Sequence, residues 1–499
     1  MEKIKITFVY PDFENLGVEY LMAVCLEDGH EVDFVYYQAE DPYLGRKAKT
    51  ISFQQIAKKI AKAQPHIVAF SCVTDNYQYQ LLCARTLKEI MPEVITIFGG
   101  VHPTAVPEKV LRNTEVDCVA IGEAEKSLSD FLREGKKDDM FILPENPIEG
   151  IVFKKQDKLV GKFKEGPFVD LNELPFPYKT PFFLSLKDSS HEYRIITSRG
   201  CPYSCSYCFN SYLHKLREKN FIRQRKVDNV IDELIWAKVH YSPKYILFVD
   251  DSFTTNMEWI FEFCNRYKKE IGLPFGCIAN PYYINRKIAA ALSSAGCINM
   301  QIGIQSLSEE LCSKILRRKS NNDRIAESIK DLKEVGIMVQ VDHMLGIPDD
   351  TLKLQEESAL FYNKYRPNLI SIFWLTYYPK TSIVEIAKQK GILTKNNISN
   401  VEEGKRLIEG SYLAGGSMSN PKPYYSISLL FNWLPILPRW LINFLVHSRL
   451  YRIFRIKNYF ISTALPRVIQ SIFNQKDFRG RSHIIRFIDK TFLQNSKDR

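Results

Sequence analysis

The chain has 499 residues, 45% hydrophobic and 25% charged, enough for several packed cores, which excludes a disordered or fibrous protein. Its 11 cysteines are too sparse for a disulfide scaffold, and Met1-Glu-Lys-Ile-Lys-Ile-Thr-Phe-Val-Tyr10 reads as a charged strand instead of a signal peptide; both point to a reducing cytoplasm. The net charge of +11 resides wholly in residues 421–499, which hold five Lys and nine Arg against three Asp, so an anionic surface met by one end is favoured over nucleic acid.

The first part alternates apolar strands with helical patterns. Lys5–Tyr10, Glu31–Tyr36, His66–Ser71 and Val94–Phe98 read as strands, the last running into Gly99-Gly100. Helical patterns fall between them, at 17–29 (closed by a glycine), Phe53–Ala63 and Gln78–Met91. Val106–Arg112, Cys118–Ile121 and Glu125–Leu132 continue the rhythm to about residue 140. This alternation predicts a doubly wound, mostly parallel sheet that binds ligands at the carboxyl ends of its strands. Residues 141–190 break the pattern and read as a linker with a hairpin over Gly150–Phe163, followed by Leu174-Pro-Phe-Pro177.

A second series spans 191–395, with strands at Tyr193–Thr197, Tyr245–Val249, Phe275–Ala279, Met300–Ile304, Met338–His343 and Leu369–Leu375. Six strand–helix units of this kind predict a barrel-like parallel sheet, complete or partial, with its chemistry at the C-terminal strand ends. Residues 396–499 abandon the alternation and read as a mainly helical, basic region.

Directly after the first strand of that series, Cys201, Cys205 and Cys208 form a C-x3-C-x2-C array. A tight loop with this spacing wraps three sulfurs around one face of an iron–sulfur cube and leaves the fourth iron open. Structural zinc is the competing reading, with His214 as a fourth ligand, and a disulfide is a third. The other eight cysteines form no C-x2-C pair and read as core residues.

Arg199-Gly-Cys-Pro-Tyr-Ser-Cys-Ser-Tyr-Cys208 resembles the cluster motif of radical S-adenosylmethionine (SAM) enzymes. Residues 1–395 resemble the methyltransferase-like subgroup that carries an N-terminal cobalamin-binding domain. The resemblance implies an α/β fold: a Rossmann-like cobalamin domain, a (β/α)6 partial TIM barrel and a helical C-terminal region. It implies that Cys201, Cys205 and Cys208 hold a 4Fe–4S cluster whose open iron chelates SAM, with Tyr207 packing on the adenine. Phe248-Val-Asp-Asp-Ser-Phe253 resembles the subgroup's paired-aspartate motif, which gives Asp250 or Asp251 the methionyl ammonium. Gly303-Ile-Gln-Ser306 resembles its Gly-x-Glu-Ser motif near the ribose, with Gln305 in place of the acid beside Ser306. Leu345-Gly-Ile-Pro348 and Thr376-Tyr-Tyr-Pro-Lys-Thr381 match the last two strand ends, with Lys380 where the family has Gly. Taken singly, each of these residues also reads as an ordinary cap or turn.

Gly99-Gly-Val-His-Pro103, Gly122-Glu-Ala-Glu125 and Gly17-Val-Glu-Tyr-Leu21 resemble the cobalamin domain. Ser71, Gly99 and Gly100, small residues after strands, would let a corrinoid tail approach the backbone; tight strand–helix turns are the alternative. The D-x-H-x-x-G signature of a lower-axial histidine is absent from Pro11–Leu16.

The implied activity is methylation of an unactivated carbon: a 5′-deoxyadenosyl radical from SAM takes a hydrogen atom, and methylcobalamin delivers the methyl group. Radical cyclisation without methyl transfer and a non-catalytic corrinoid carrier are the alternatives. The partners implied are a small-molecule or lipid-like substrate and an external electron donor such as flavodoxin or ferredoxin. In the basic region, Arg449, Arg452 and Arg455 share one helical face and Leu450, Ile453, Phe454, Phe460 and Ile461 the other, downstream of Trp433 and Trp440. This predicts either peripheral contact with the inner face of a membrane or a lid packed on the barrel.

Overall fold

The computed structural model describes residues 3–41, 46–47, 52–137, 140–156, 158–186, 192–217, 222–405, 416–456 and 460–473. The chain forms two units, Met1–Leu186 with Tyr378–Lys380 and Lys388–Leu407, and Lys187–Tyr377 with Thr381–Ala387 and Ile408–Arg499.

The first unit is built on β1 (Lys5–Pro11), β2 (Glu31–Tyr37), β3 (Ile67–Ser71), β4 (Ile95–Gly99) and β5 (Cys118–Ala120), all parallel. Helices cover both faces, so the inner strands are continuous apolar runs; every residue of β1 after Lys5 is buried. The strands lie in the order β2-β1-β3-β4-β5, and the reversal between β1 and β3 opens a crevice at their carboxyl ends. The expected hairpin forms as β6 (Ile151–Lys155) and β7 (Lys158–Val160) and widens this sheet, with Val152 antiparallel to Val119 of β5. The segment after it is also fastened here. Lys179 Nζ lies 2.9 Å from Glu14 and 2.5 Å from Glu19, all three side chains being buried. Removing the lysine would leave two carboxylates buried without their cation, at a cost of about 3–5 kcal/mol.

The second unit holds β8 (Glu192–Ile195), β9 (Tyr245–Phe248), β10 (Phe275–Ala279), β11 (Cys297–Gln305), β12 (Met338–Leu345) and β13 (Leu369–Trp374). They are parallel and in sequence order, with β8 and β13 at the edges, as a partial barrel requires. Asn256, Asn285, Asn321 and Thr351 start the intervening helices by accepting a backbone N–H in the first turn. Phe248, Phe253, Phe263, Tyr267 and Phe275 form an aromatic cluster under β9 and β10.

The C-terminal region contributes helices Lys422–Trp433, Arg439–Ser448 and Leu465–Phe473 to this unit. The first packs on β13, with Phe431 4.8 Å from the ring of His343, and covers that edge of the sheet. The single amphipathic helix expected from Arg449 onward does not form. Arg449 is left-handed (φ 59°) and ends the preceding helix, and Leu450–Ile453 is one 3-10 turn. Arg452 leaves the expected arginine face to pair with Glu356 at 2.5 Å. The expected Lys/Arg contributions of 474–499 lie outside the described residues. Among the described residues no helix is long and apolar enough to cross a membrane.

Candidate functional site

The cysteine loop begins where Ser198–Arg199 pairs with Arg223–Gln224 and Gly200 turns with φ 92°. Ser206 pins its middle: its N–H donates to the Leu316 carbonyl (2.8 Å), its hydroxyl to that of Ile315 (2.7 Å), and its carbonyl accepts from Ile383 (2.8 Å). Cys208 N–H closes a turn on the Cys205 carbonyl at 3.0 Å, and helix Asn210–Leu216 follows. Cys205 is buried, while Cys201 and Cys208 are half-buried. The three thiols lie within electrostatic reach of one another. Burial, with Asp251 adding to it, pushes Cys201 up to about 12 and Cys208 up to about 11, so binding metal there must displace protons. His214 Nε2 sits 2.9 Å from the Cys201 carbonyl oxygen, so this ring nitrogen braces the loop backbone. The other eight cysteines are all buried, as core residues are.

Arg318 is the group that sequence reading misses. It lies in Arg317-Arg318-Lys319, which resembles a solvated basic run, yet its side chain is buried. Nη1 lies 3.6 Å from Cys205 Sγ, and Nη2 donates to the Gly303 carbonyl. Tyr207 stands close enough to feel Arg318, Cys205 and Cys208, and burial raises its hydroxyl well above the ordinary tyrosine range.

The paired aspartates divide their work. Asp250 Oδ1 accepts from Thr197 N (2.9 Å), Thr197 Oγ1 (2.8 Å) and Ser198 Oγ (2.6 Å), tying the segment after β8 to the end of β9. Burial pushes its pKa up to about 6, against those hydrogen bonds. Asp251 is exposed at the mouth of the cysteine loop, accepts from Asn210 at 3.1 Å and acts on Cys201 and Cys208. Gln305 at the end of β11 adopts φ 70°, a left-handed conformation that non-glycine residues rarely take. Its amide folds back over Gly303. Ser306 is buried, and its hydroxyl accepts from Ser308 N–H at 3.2 Å.

In the first unit, Ser71 and Gly99 pair across β3 and β4 at the carboxyl edge. Gly100 has φ 97°, and a Cβ there would stand 2.7 Å from the Cys72 carbonyl oxygen; at Gly99 it would meet Ala120 at an ordinary 3.6 Å. The turn itself therefore demands Gly100, whereas Gly99 would accept a Cβ in ordinary contact with Ala120. His102 is buried, bonded to Thr74 Oγ1 at 3.0 Å and packed 4.2 Å from the Tyr77 ring; burial lowers its pKa to about 3.

A parallel partial barrel with a three-thiol loop after its first strand, together with a doubly wound nucleotide-type sheet, defines a two-cofactor enzyme class. Residues 195–361 match the Radical SAM superfamily, and residues 3–132 match the B12 binding domain. The chain therefore carries a radical SAM domain behind an N-terminal B12-binding domain, and its cofactor set is a 4Fe–4S cluster, SAM and cobalamin. An uncharacterized methyltransferase of Pyrococcus horikoshii is 28% identical over 417 residues, 80% of this chain and 86% of that protein. The anaerobic magnesium-protoporphyrin IX monomethyl ester cyclase of Rubrivivax gelatinosus is 23% identical over 399 residues, 75% of this chain and 68% of that one. The fold is shared with the radical SAM methyltransferase TsrM from Kitasatospora setae (TM-score 0.64, 14% identity, 87% of this chain and 89% of that one), solved with tryptophan and a SAM analogue bound.

Proposed function

We propose that this chain is a cobalamin-dependent methyltransferase acting on an unactivated carbon of a hydrophobic or natural-product small molecule. The observation that carries the reading is the likeness to a methyltransferase along 86% of that protein, spanning both cofactor domains. When bound, the cluster supplies the electron that cleaves SAM and cobalamin supplies the methyl group.

The residues fit these groups. Cys201, Cys205 and Cys208 would hold the cluster; Ser206 and His214 brace their loop, while among the described residues the three thiols do not stand gathered as a metal site. Arg318 sets a buried cation against one ligand sulfur. Asp251, the exposed member of its pair, serves the methionyl ammonium, while Asp250 holds the strand ends that carry the site. Tyr207, Gln305 and Ser306 would serve the nucleoside of SAM, and Ser71, Gly99 and Gly100 would admit the corrinoid. An external one-electron donor, flavodoxin or ferredoxin, completes the system.

The cyclase likeness supports a second reading, radical cyclisation without methyl transfer. Anaerobic reconstitution with both cofactors, followed by mass spectrometry against extracts of a host lacking the gene, separates them. A product heavier by one CH2, a hydrogen exchanged for a methyl group, is expected, and a product formed by loss of hydrogen alone would replace methylation with cyclisation.

A further inference from the structure

The C-terminal part of the second unit presents a surface that the chemistry above does not use. Helix Arg439–Ser448 buries Ile442 and Val446 toward helix Leu352–Tyr365 and turns its other face outward. On that face Trp440 is 69% and Phe444 54% exposed, one turn apart. The 3-10 turn beyond packs on helix Lys422–Trp433 and leaves Ile453 72% and Phe454 52% exposed, while Tyr451 goes inward. Large apolar side chains clustered this way mark an interaction site, whereas isolated ones do not.

The charged residues of the segment 439–456 itself are all basic, and Arg452 among them is paired with Glu356. Arg439, Arg449 and Arg455 are exposed, and among the described residues none of them pairs with a carboxylate. Lys333 and Arg366 add to the cluster: burial lowers the proton affinity of both, and Arg439 lowers it further. Arg366 is committed to the Leu434 and Leu437 carbonyls, which leaves the exposed arginines to face outward. A second copy of this chain would bring like charges together here, and an acidic polar partner would leave the four apolar side chains unserved.

From this juxtaposition we propose that Trp440, Phe444, Ile453 and Phe454, ringed by Arg439, Arg449 and Arg455, form a docking surface for an anionic phospholipid bilayer. The aromatic and aliphatic groups enter the headgroup boundary, and the arginines meet lipid phosphates. The inference is independent of methylation and places the enzyme where hydrophobic substrates reside.

The test uses the full chain with its cluster and vesicles of phosphatidylcholine, with or without phosphatidylglycerol. Co-sedimentation with the anionic vesicles is expected at low salt and should weaken as salt rises. Arg439→Gln with Arg449→Gln should weaken it about 30-fold, for two lost basic contacts. Trp440→Ser with Phe444→Ser should weaken it without altering iron content or circular dichroism. Undiminished pelleting of both double variants would overturn the assignment and place any binding in the basic tail. Equal binding to neutral vesicles, or a dimer broken by Trp440→Ser without lipid binding, would overturn it as well.

Discussion

Arg318 Nη1 lies 3.6 Å from Cys205 Sγ, a buried guanidinium against the most buried thiol of the three-cysteine loop. The two are separated by 113 residues and brought together by the return of the chain after β11. Charge and hydrogen bonds at the ligand sulfurs set the potential of an iron–sulfur cluster. A fixed cation there favours the reduced, more negative state.

Arg318→Met is therefore expected to keep its iron and sulfide while the midpoint potential of the cluster becomes more negative and a given donor reduces a smaller fraction of it. Arg318→Lys should recover part of both, since it restores charge but not the forked geometry. Redox titration followed by electron paramagnetic resonance measures the shift. An unchanged potential in Arg318→Met would reduce the arginine to packing.

At the proposed corrinoid edge the two adjacent glycines should behave differently. Gly100→Ala forces a side chain into a left-handed position against the Cys72 carbonyl, costing about 1–3 kcal/mol with or without cobalamin. Gly99→Ala should leave folding nearly unchanged, because its Cβ has ordinary room beside Ala120. Gly99→Leu is then the clean probe of the corrinoid: normal cluster content with weakened cobalamin retention is expected. Denaturant unfolding of corrinoid-free protein, with cobalt analysis of loaded protein, checks both.

These contrasts show which features a sequence carries on its face. Strands buried on both sides, such as β1 and β3, are written as largely apolar runs, and the cysteine loop is written in nine consecutive residues. Lys380, standing where the resembling motif has Gly, adopts φ 62°, so even that departure marked a left-handed turn. The tie from Asp250 to Thr197 spans 53 residues, and that from Lys179 to Glu19 spans 160. Such pairs are fixed by packing between distant segments, and no local pattern announces them. The arginine face failed for a related reason: a helical wheel assumes a continuous helix, which the left-handed Arg449 interrupts.

Asp250 gives a pH-dependent signature. Its folded pKa of about 6 lies above the ordinary aspartate value of 3.8, so the folded state holds the proton more tightly. That stability is present below pH 3.8 and is lost as pH rises through 6. Asp250→Asn stays neutral, so relative to the parent it should gain stability with rising pH, by up to about 3 kcal/mol between pH 4 and 7. Urea unfolding of both proteins across that range measures the difference. A difference that does not vary with pH would contradict the assignment.

The central claim is that one chain uses the three-cysteine loop and cobalamin together to place a methyl group from SAM on carbon. Its most direct test is turnover of the anaerobically reconstituted protein with SAM bearing a trideuterated methyl group, with products quantified by mass spectrometry. The account predicts a substrate carrying the intact label, accompanied by equal amounts of 5′-deoxyadenosine and S-adenosylhomocysteine, all lost when Cys201, Cys205 and Cys208 are replaced by Ala. Deoxyadenosine formed with an unlabelled product and no S-adenosylhomocysteine, or cleavage surviving in the triple variant, would contradict it.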